Sequence, residues 1–436
     1  METGFRKQTK IDDNLCVWQE FGGLARKYGL VSLGEGAPHF QPPKFLVDNL
    51  VKAIEQGHNH YTSCYGHPEA KKLVAELYSP RFDREIDPVK ETLIANGANG
   101  CMDVLLQALL ADENDEVIFI EPFFPQYLGH AQFARGTIKT VPLVVGEDNE
   151  WHLDLDILRE TLNEKTRCII LNTPHNPTGK VFTLQELTDI SDILNEYPHV
   201  YVISDDVYDF LTFEGHDHHI FAKIGDNWKK TVTVFSGGKI MCCTGWKVGW
   251  CFGPAEIIRQ AVIFNDTATY CHNVPGQVAI ARSLKTAYED EYKGAKNFIE
   301  FEKADFKNSH DILVQGLKDS SLPIVPIPAA GGYFILADIS ELKGTHEDPN
   351  GLVPEKYFKQ EEYEDDLDTT IEKNDFGNPV PRDLAVSRWL AMEKKVVTMP
   401  ATFFYTRASE HKTDKYIRLA FCRGEEMTKN AMENLK

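Results

Sequence analysis

One lysine stands where the chain could hold a reactive amine. Lys239 follows the apolar run Val234–Phe235 and then Ser236, Gly237 and Gly238. The two glycines allow the backbone to approach a neighbouring group closely. Burial and nearby cations lower the pKa of a lysine, and a neutral amine attacks a carbonyl carbon. The pattern therefore indicates a nucleophilic lysine, with a solvated surface lysine as the alternative.

A glycine-rich turn earlier in the chain could bind an anion. Asn96 to Gly100 reads NGANG and precedes a helix that we expect to start near Cys101. Backbone N–H groups at such a turn, aided by the helix dipole, bind anions such as phosphate. The turn lacks the GK[ST] ending of ATP-binding loops and the GxGxxG pattern of NAD-binding loops. A plain strand–helix turn is the alternative.

A proline-rich loop and an acidic pair end two other predicted strands. Asn172–Gly179 reads NTPHNPTG, and Pro177 biases Asn176 toward an extended backbone, which would present its amide as a fixed hydrogen-bonding group. Asp205 and Asp206 stand at the strand end where open α/β sheets bind ligands. A buried carboxylate needs a partner, and a protonated ring nitrogen would serve. A structural turn at Asn176 and a helix cap by either aspartate are the alternatives.

One arginine interrupts an apolar strand pattern near the end of the chain. Arg418 lies within Tyr416–Phe421, which reads YIRLAF. Charged side chains are rare at such positions unless they are paired. The fork-shaped guanidinium suits a substrate carboxylate, and an internal salt bridge is the alternative.

These residues require a scaffold that brings strand ends together. Between about residues 46 and 290, short apolar runs alternate with helix-like segments such as Cys101–Ala111 and Leu184–Glu196. Continuous apolar runs suit strands that are buried on both faces, so the chain predicts an α/β fold with a mostly parallel sheet wrapped by helices. The runs are Thr92–Ala95, Glu116–Ile120, Cys168–Leu171, Tyr201–Ser204, Thr231–Phe235 and Val248–Phe252.

The composition changes after about residue 320, where prolines and glycines precede the apolar run Tyr333–Ala337. We therefore predict that a second, smaller domain begins there, with 46–318 as a large domain and 319–436 as the small domain. The last part contains an acidic stretch near 346–381. Within it, Glu361–Asp368 is typical of a solvated loop or an exposed helix, and it lacks the glycine and spacing of a calcium-binding loop.

Composition excludes several classes of function. The chain has 436 residues and a formal net charge of −20, so it repels nucleic acids and anionic membranes. The sequence shows neither an apolar run of the roughly 18 residues that span a bilayer nor a secretory signal at its start. Its nine cysteines form no CxxC pair, so we expect neither a disulfide framework nor a metal site. A cytoplasmic protein is the expectation.

Taken together and in this order, the segments resemble fold type I pyridoxal-phosphate-dependent aminotransferases of class I/II. The resemblance covers about Trp18 to Arg418. Four further motifs resemble the kynurenine aminotransferase group, also called glutamine transaminase K or cysteine-conjugate β-lyase: SLGEGAP at 32–38, HYT at 60–62, EPFF at 121–124 and GWKVGW at 245–250. This resemblance implies a large cofactor-binding domain with a mostly parallel seven-stranded sheet and a homodimer with shared active sites. It also implies a smaller α+β domain, to which residues 1–45 contribute an N-terminal arm.

The resemblance also implies roles for individual residues. Lys239 would hold pyridoxal 5'-phosphate covalently and act as the catalytic base, and Asp205 would keep the ring nitrogen protonated. The other cofactor contacts would be Tyr208 and Asn176 at the ring oxygen, Phe124 on the ring face, Ala98, Asn99, Ser236 and Lys247 at the phosphate, and Tyr61 from the second subunit. The substrate contacts would be Arg418, Asn176 and Gly36 at the α-carboxylate, with Trp18 and Tyr270 at the side chain.

The implied reaction moves the amino group of a large neutral or aromatic amino acid, of the kynurenine, glutamine or phenylalanine type, to a 2-oxo acid. Elimination at a C–S bond on the same site, a β-lyase activity, is one alternative, and a non-enzymatic cofactor-binding module is another. Three features depart from the family pattern. Lys247 stands where the class carries arginine, Asn99 replaces an aromatic residue of the group, and Glu361–Asp368 resembles an insertion.

Overall fold

The computed structural model describes residues 17–365, 380–409 and 414–436. Its strands are β1 Val31–Ser32, β2 Thr92–Asn96, β3 Glu116–Glu121, β4 Thr137–Val145, β5 Trp151–Leu153, β6 Thr166–Asn172, β7 Tyr201–Asp205, β8 Thr231–Ser236, β9 Val248–Phe252, β10 Val325–Ile327, β11 Phe334–Asp338, β12 Val396–Val397, β13 Met399–Pro400 and β14 Tyr416–Ala420.

The largest sheet has eight strands in the order β2-β9-β8-β7-β6-β3-β4-β5. Strands β4, β3, β6, β7 and β8 run parallel, while β9 is antiparallel to both of its neighbours. The mostly parallel sheet is confirmed, but the predicted number of seven strands is wrong. The eighth strand, β5, has only three residues and pairs antiparallel with β4 at the sheet edge. Three residues are too few for a periodic pattern to be recognised in the sequence.

The six apolar runs of the sequence are all strands of this sheet. Each observed strand contains its predicted run and exceeds it by at most two residues at either end. Strands β3 and β9 are buried at every residue, because helices cover both faces of the sheet. The continuous apolar pattern therefore predicted their position correctly.

Helices pack on both sides of the sheet and at its edges. They are α1 Val17–Tyr28, α2 Lys44–Glu55, α3 Pro68–Tyr78, α4 Gly97–Leu109, α5 Gln126–Phe133, α6 Leu155–Thr161, α7 Leu184–Asn195, α8 Gly237–Ile240, α9 Ala255–Ala268, α10 Val274–Glu289, α11 Phe298–Asp319, α12 Gln360–Asp365, α13 Arg382–Lys394 and α14 Glu425–Asn434. In the described parts of the chain, no helix combines the length and apolar character needed to cross a membrane.

Helix α4 starts at Gly97 and not near Cys101 as predicted. The segment NGANG therefore supplies the first helical turn itself. Glycine and asparagine are poor helix formers, which is why the sequence pattern placed the start too late.

A second sheet contains four antiparallel strands in the order β10-β11-β14-β13. Arg418 lies in β14 opposite Leu336 of β11. Separately, β1 pairs in parallel with β12, which brings the chain before α2 against residues near 396. The domain boundaries at 1–45, 46–318 and 319–436 stay a prediction.

Part of the acidic stretch is helical. Glu361 and Glu362 are exposed on α12, as predicted for a charged face. Residues 366–368 of the stretch lie outside the described residues.

The scaffold gathers polar residues at one edge of the large sheet. Asn172, Asp205 and Ser236 are the last residues of the neighbouring parallel strands β6, β7 and β8. Asn172 is the register partner of Asp205. The carboxyl ends of parallel strands share one edge, so these side chains converge there.

Candidate active site

A cavity of about 340 Å³ opens at this edge of the sheet. All predicted site residues except Tyr61 and Tyr270 line it: Trp18, Gly36, Ala98, Asn99, Phe124, Asn176, Asp205, Tyr208, Ser236, Lys239, Lys247 and Arg418. Residues separated by up to 400 positions in the sequence therefore share one cavity, and its contacts determine what chemistry they can perform.

Lys239 lies on the short helix α8, directly after strand β8. Ser236 is the N-cap of this helix, and its Oγ accepts a hydrogen bond from the Lys239 backbone N–H at 3.4 Å. The Lys239 Nζ donates to the Gly36 carbonyl oxygen at 3.1 Å. The Lys239 carbonyl accepts a hydrogen bond from the Tyr333 hydroxyl at 3.0 Å. The helix start, the amine and the backbone of this lysine are thus all held in place.

The surroundings of Lys239 favour the neutral amine. Burial, with the positive charges of Arg418 and Lys247 nearby, lowers the pKa of Lys239 from 10.5 to about 8. The aromatic rings of Tyr208 and Tyr333 have their centres 5.3 and 4.9 Å from the Nζ. A lysine in this state has a nucleophilic population near neutral pH, as the sequence pattern predicted.

The two oxygens of the Asp205 carboxyl have different surroundings. The Tyr127 hydroxyl donates a short hydrogen bond to Oδ2. Oδ1 is buried and has no hydrogen-bond partner within the described residues. Burial, with the neighbouring Asp206 carboxylate, raises the pKa of Asp205 from 3.8 to about 6. A buried, unpartnered acceptor of this kind suits a protonated nitrogen.

A chain of asparagine hydrogen bonds ties the proline-rich loop to strand β7. The Asn172 Nδ2 donates to the Asp205 carbonyl oxygen at 2.7 Å, and its Oδ1 accepts from the Asn176 backbone N–H at 2.7 Å. The Asn176 Oδ1 accepts from the Arg418 Nη1 at 3.1 Å. Asn176 therefore joins the loop after β6 to the arginine of β14.

The Arg418 guanidinium is buried and lies over the Phe334 ring, with 3.9 Å between its central carbon and the ring centre. Its Nη2 donates to the Gly34 carbonyl at 2.8 Å, while its Nε has no hydrogen-bond partner within the described residues. Burial lowers the pKa of Arg418 to about 10, so the group stays positive at neutral pH. The alternative reading, an internal salt bridge, is not what the described residues show: the hydrogen bonds of Arg418 there go to neutral oxygens, which leaves its charge available to a ligand.

The first turn of α4 supplies backbone N–H groups at the other end of the cavity. N–H groups of a first helical turn have no partners within the helix, and Ala98 and Asn99 both belong to this turn. Gly97 has φ +69° there, and a side chain on it would lie 3.5 Å from the Lys247 Nζ. Gly249 is needed because a Cβ at that position would lie 2.3 Å from the Ala98 nitrogen. A helix N-terminus and one ammonium group thus face the same space.

A histidine absent from the predicted set orients the Asn99 side chain. The His130 Nε2 lies 3.0 Å from the Asn99 Oδ1, and the His130 Nδ1 lies 3.1 Å from the Asp103 Oδ1. This contact fixes the orientation of the Asn99 side chain, which lines the cavity. The aromatic residue that the resemblance led us to expect at Asn99 is thereby replaced by a hydrogen-bonding side chain.

Aromatic side chains form the remaining walls. Phe124 meets the Tyr127 ring edge to face, with centres 5.7 Å apart, and Trp18 reaches the cavity from α1. Phe334, whose ring lies against the Arg418 guanidinium, also lines the cavity. Sequence reasoning missed Phe334 and Tyr127. Tyr127 follows Phe124 by three residues, and this spacing could have indicated that both side chains face the same cavity. The sequence around Phe334 gave no such indication.

Tyr61 and Tyr270 lie outside the cavity of their own chain. The Tyr61 side chain is 86% exposed and Tyr270 is 47% exposed. Their rings meet edge to face with centres 5.5 Å apart. Two large exposed aromatic side chains in mutual contact are unusual for a surface that faces only water.

The cavity fits the cofactor that the resemblance implies. The unpartnered Asp205 Oδ1 suits a protonated pyridine nitrogen, and the α4 N-terminus with Lys247 suits a phosphate. Lys239 offers an amine of lowered pKa in the same cavity. Three separate groups thus match the three functional parts of pyridoxal phosphate.

Comparisons with known proteins agree with this site. The family model for aminotransferase class I and II matches residues 28–435. Kynurenine–oxoglutarate transaminase of Dictyostelium discoideum is 34% identical, over 96% of this chain and 93% of its own length. Kynurenine–oxoglutarate transaminase 1 of Homo sapiens is 31% identical, over 98% of this chain and 96% of its own length.

Solved structures show the same architecture. Bna3p from Saccharomyces cerevisiae superimposes with a TM-score of 0.83 at 29% identity, covering 96% of this chain and 95% of its own. N-succinyldiaminopimelate aminotransferase from Mycobacterium tuberculosis superimposes with a TM-score of 0.81 at 27% identity, covering 96% of both chains. The chain belongs to the class I and II aminotransferase family and is a pyridoxal-phosphate-dependent aminotransferase.

Proposed function

We propose that this enzyme transfers the amino group of a large neutral or aromatic amino acid, of the kynurenine, glutamine or phenylalanine type, to a 2-oxo acid. The observation that carries the proposal is the distribution of charge in the cavity. Within the described residues, its charged lining groups are Asp205, Lys239, Lys247 and Arg418. Each has a use at the cofactor or at the substrate α-carboxylate, so no charge is left for an acidic or basic substrate side chain. The named relatives are kynurenine–oxoglutarate transaminases, which supports a donor of this kind.

The aromatic lining supports the same class of donor. Phe334 lies against Arg418 and Trp18 lines the same cavity, so both offer apolar surface to the side chain of an amino acid bound at Arg418. Aromatic rings of a substrate gain burial and ring contacts on such a surface. The named relatives are transaminases, so we do not propose C–S elimination as the activity.

Residues at different positions in the cavity would bind different parts of the cofactor. The cofactor, when bound, withdraws electrons from the Cα–H bond of the amino acid. Lys239 would hold it through Nζ, Asp205 would keep its ring nitrogen protonated, and Asn176 and Tyr208 would bind its ring oxygen. Phe124 would cover the ring face.

Phosphate binding in this proposal uses the remaining cationic end of the cavity. The Ala98 and Asn99 backbone N–H groups, the Ser236 hydroxyl and the Lys247 ammonium would contact the phosphate. Lysine at 247 supplies one positive charge without the paired donors of an arginine.

Arg418 and Lys239 would have the main roles in orienting the substrate and in moving its proton. Arg418, through its unpartnered Nε, would bind the α-carboxylate, with Asn176 and the Gly36 backbone beside it. Once the substrate amino group has displaced Lys239 from the cofactor, the freed neutral Nζ would accept the proton from the substrate Cα. Its lowered pKa suits this step, because a base must be deprotonated at the working pH.

The exposed aromatic pair supports a homodimer with shared active sites. Tyr61 would reach the phosphate of the second subunit, and Tyr270 would line its side-chain pocket. Ile263 and Phe264 on α9 are also exposed, which extends the apolar surface that a second copy could cover. A cytoplasmic location stays a prediction.

Absorption spectroscopy tests the cofactor assignment. Purified enzyme should carry the visible absorption band of pyridoxal phosphate bound covalently to a lysine. Lys239→Ala should lose this band while remaining folded by circular dichroism. A wild-type protein that binds no pyridoxal phosphate would overturn the proposal.

An activity screen tests the substrate class. Kynurenine, phenylalanine and glutamine should be converted to their oxo acids faster than aspartate or lysine, with 2-oxo acids as acceptors. Pyruvate and ammonia released from an S-substituted cysteine, without transamination of any donor, would instead indicate a β-lyase. No turnover by fully loaded protein would indicate a binding module.

A further inference from the structure

We propose that the segment Glu355–Asp365 controls the choice of amino donor, because its Gln360 and Tyr363 position the helix that carries Trp18. The inference rests on the proposed function, since it assumes that Trp18 contacts the donor side chain. It assigns a role to a segment that lies outside the cavity and that the reaction itself does not require.

A buried ion pair joins helix α1 to helix α13. Glu20 of α1 and Arg388 of α13 both have fully buried side chains. The Arg388 Nε donates to Glu20 Oε1 at 2.7 Å and its Nη2 donates to Glu20 Oε2 at 3.2 Å. A two-bond contact of this kind fixes the relative orientation of its partners, and a buried pair is sustained only when its geometry is good.

The segment completes and covers this ion pair. The Gln360 Oε1 accepts from the Arg388 Nη1 at 2.9 Å, and the Tyr363 hydroxyl donates to Glu20 Oε1 at 3.3 Å. The Tyr363 ring also lies against the guanidinium, with 4.1 Å between the ring centre and the central carbon. Gln360 and Tyr363 are themselves almost fully buried. One residue of the segment therefore binds each member of the pair.

The ion pair positions Trp18 because Glu20 is only two residues away on α1. Two residues correspond to about 200° around a helix, so the two side chains leave opposite faces. Glu20 is held by α13 and by the segment, while Trp18 lines the cavity. A rotation or shift of the start of α1 would move Trp18 relative to Phe334 and Arg418. The segment limits that movement through Gln360 and Tyr363.

The chain provides a matched control in the same segment. The Tyr357 hydroxyl donates to the Glu393 Oε1 at 3.1 Å, which ties the segment to α13 through a residue other than Arg388. Tyr357→Phe therefore removes one partly buried hydroxyl bond of the segment and leaves the hydrogen bonds of Gln360 to Arg388 and of Tyr363 to Glu20 in place. Tyr363→Phe removes a hydroxyl of the same kind but breaks the bond to Glu20.

The experiment compares two donors in loaded enzyme at a fixed 2-oxo acid. Gln360→Met and Tyr363→Phe should raise the KM for phenylalanine about five-fold, the size expected for one lost hydrogen bond. The KM for alanine, whose side chain is too short to reach Trp18, should change by less than about two-fold, as should kcat and the cofactor absorption band. Tyr357→Phe should behave as wild type.

Coupling to Trp18 separates this inference from the proposed function. Trp18→Ala should itself lower the preference for phenylalanine over alanine, and Gln360→Met should have no further effect in that background. If Trp18→Ala leaves the preference unchanged, the proposed role of Trp18 in donor binding is wrong. If Trp18→Ala changes it while Gln360→Met and Tyr363→Phe do not, the positioning role of the segment is wrong. An equal effect of Tyr357→Phe would also overturn it, and Tyr363→Phe decides the question if Gln360→Met does not fold.

Discussion

The surroundings of Asp205 favour cofactor binding at the expense of the stability of the cofactor-free protein. One carboxyl oxygen is bonded to Tyr127, and the other is buried without a partner within the described residues. The raised pKa of about 6 follows mainly from burial, which disfavours the charged form. The cost of this buried charge is present in the cofactor-free protein and is relieved when a cation binds beside it. Such a compromise between stability and function is common at active sites.

The first residue-scale prediction concerns Asp205→Asn in cofactor-free protein. The folded-state pKa is raised above the ordinary value of 3.8, so the stabilising contribution of the carboxyl group is complete below about pH 4 and is lost as the pH rises through about 6. At pH 8, Asp205→Asn should therefore be about 3 kcal/mol more stable than wild type, since asparagine buries no charge. Urea unfolding at pH 4.5 and pH 8 measures the difference, which should fall to about 1 kcal/mol at the lower pH.

The neighbouring carboxylate provides the control for this prediction. The Asp206 Oδ2 lies 3.0 Å from the His218 Nε2 in a buried pair, and Asp206 contributes to raising the pKa of His218. Asp206→Asn should therefore destabilise the protein. Cofactor affinity should fall in Asp205→Asn, opposite in sign to its effect on stability. A less stable Asp205→Asn at pH 8 would contradict the argument.

At the scale of elements, a carboxylate ties the end of β3 to the residues after β13. The Glu121 Oε1 accepts from the backbone N–H and the hydroxyl of Thr406 at 2.7 and 2.8 Å, and its Oε2 accepts from the Ser409 hydroxyl at 2.8 Å. The Phe123 backbone N–H donates to the Phe404 carbonyl at 2.7 Å. These bonds fix the loop that presents Phe124 to the cavity.

The element-scale prediction follows from the three hydrogen bonds to Glu121. Glu121→Ala should destabilise the protein by about 1–3 kcal/mol, because it removes three hydrogen bonds from partly buried donors of Thr406 and Ser409. Glu121→Gln should cost less, since its amide oxygen still accepts from Thr406. Thermal unfolding measures both variants, and the absorption band of bound cofactor reports whether Phe124 has moved. Equal stability of Glu121→Ala and wild type would show that the contact does not hold these elements together.

Elements were predictable to the extent that their burial was uniform. The continuous apolar runs of β3 and β9 were sufficient to locate these strands in the sequence, because both of their faces are covered. Strand β4 was missed because its burial is mixed and Pro142 lies within it. The start of α4 was placed too late, since the packing of Gly97 and Gly249 against neighbouring backbone overrides weak helix propensity.

At the scale of the whole molecule, the proposed homodimer makes a quantitative prediction. Lys239→Ala and Tyr61→Ala should each be nearly inactive alone. If Tyr61 acts across the interface, a mixed dimer contains one site with both residues intact. Random reassociation of equal amounts should therefore restore about a quarter of the wild-type sites.

Mixing the two unfolded variants and refolding them together tests this expectation, with each variant refolded alone as the control. Activity and bound-cofactor absorption should both appear only in the mixture. If Tyr61 acted within its own chain, no combination would contain an intact site and the mixture would stay inactive.

The sequence by itself determined the family and the identity of most groups that could do chemistry. Lys239, Asp205 and Asn176 each follow a strand within a short, conformationally restricted motif, so their local chemistry could be deduced from neighbouring residues. The net charge of −20 correctly described an acidic chain, but it gave no sign of a cavity in which Lys239, Lys247 and Arg418 converge.

The tertiary structure alone decided which groups meet. Asn176 and Arg418 are 242 positions apart, Tyr127 and Asp205 are 78 apart, and Glu20 and Arg388 are 368 apart. Each contact depends on how helices and strands pack, and local sequence patterns carry no information about that packing. The pKa of Asp205 follows from such contacts, because residues of other elements bury its carboxyl group. The orientation of Trp18 follows from them too, because hydrogen bonds between elements hold the helix that carries it.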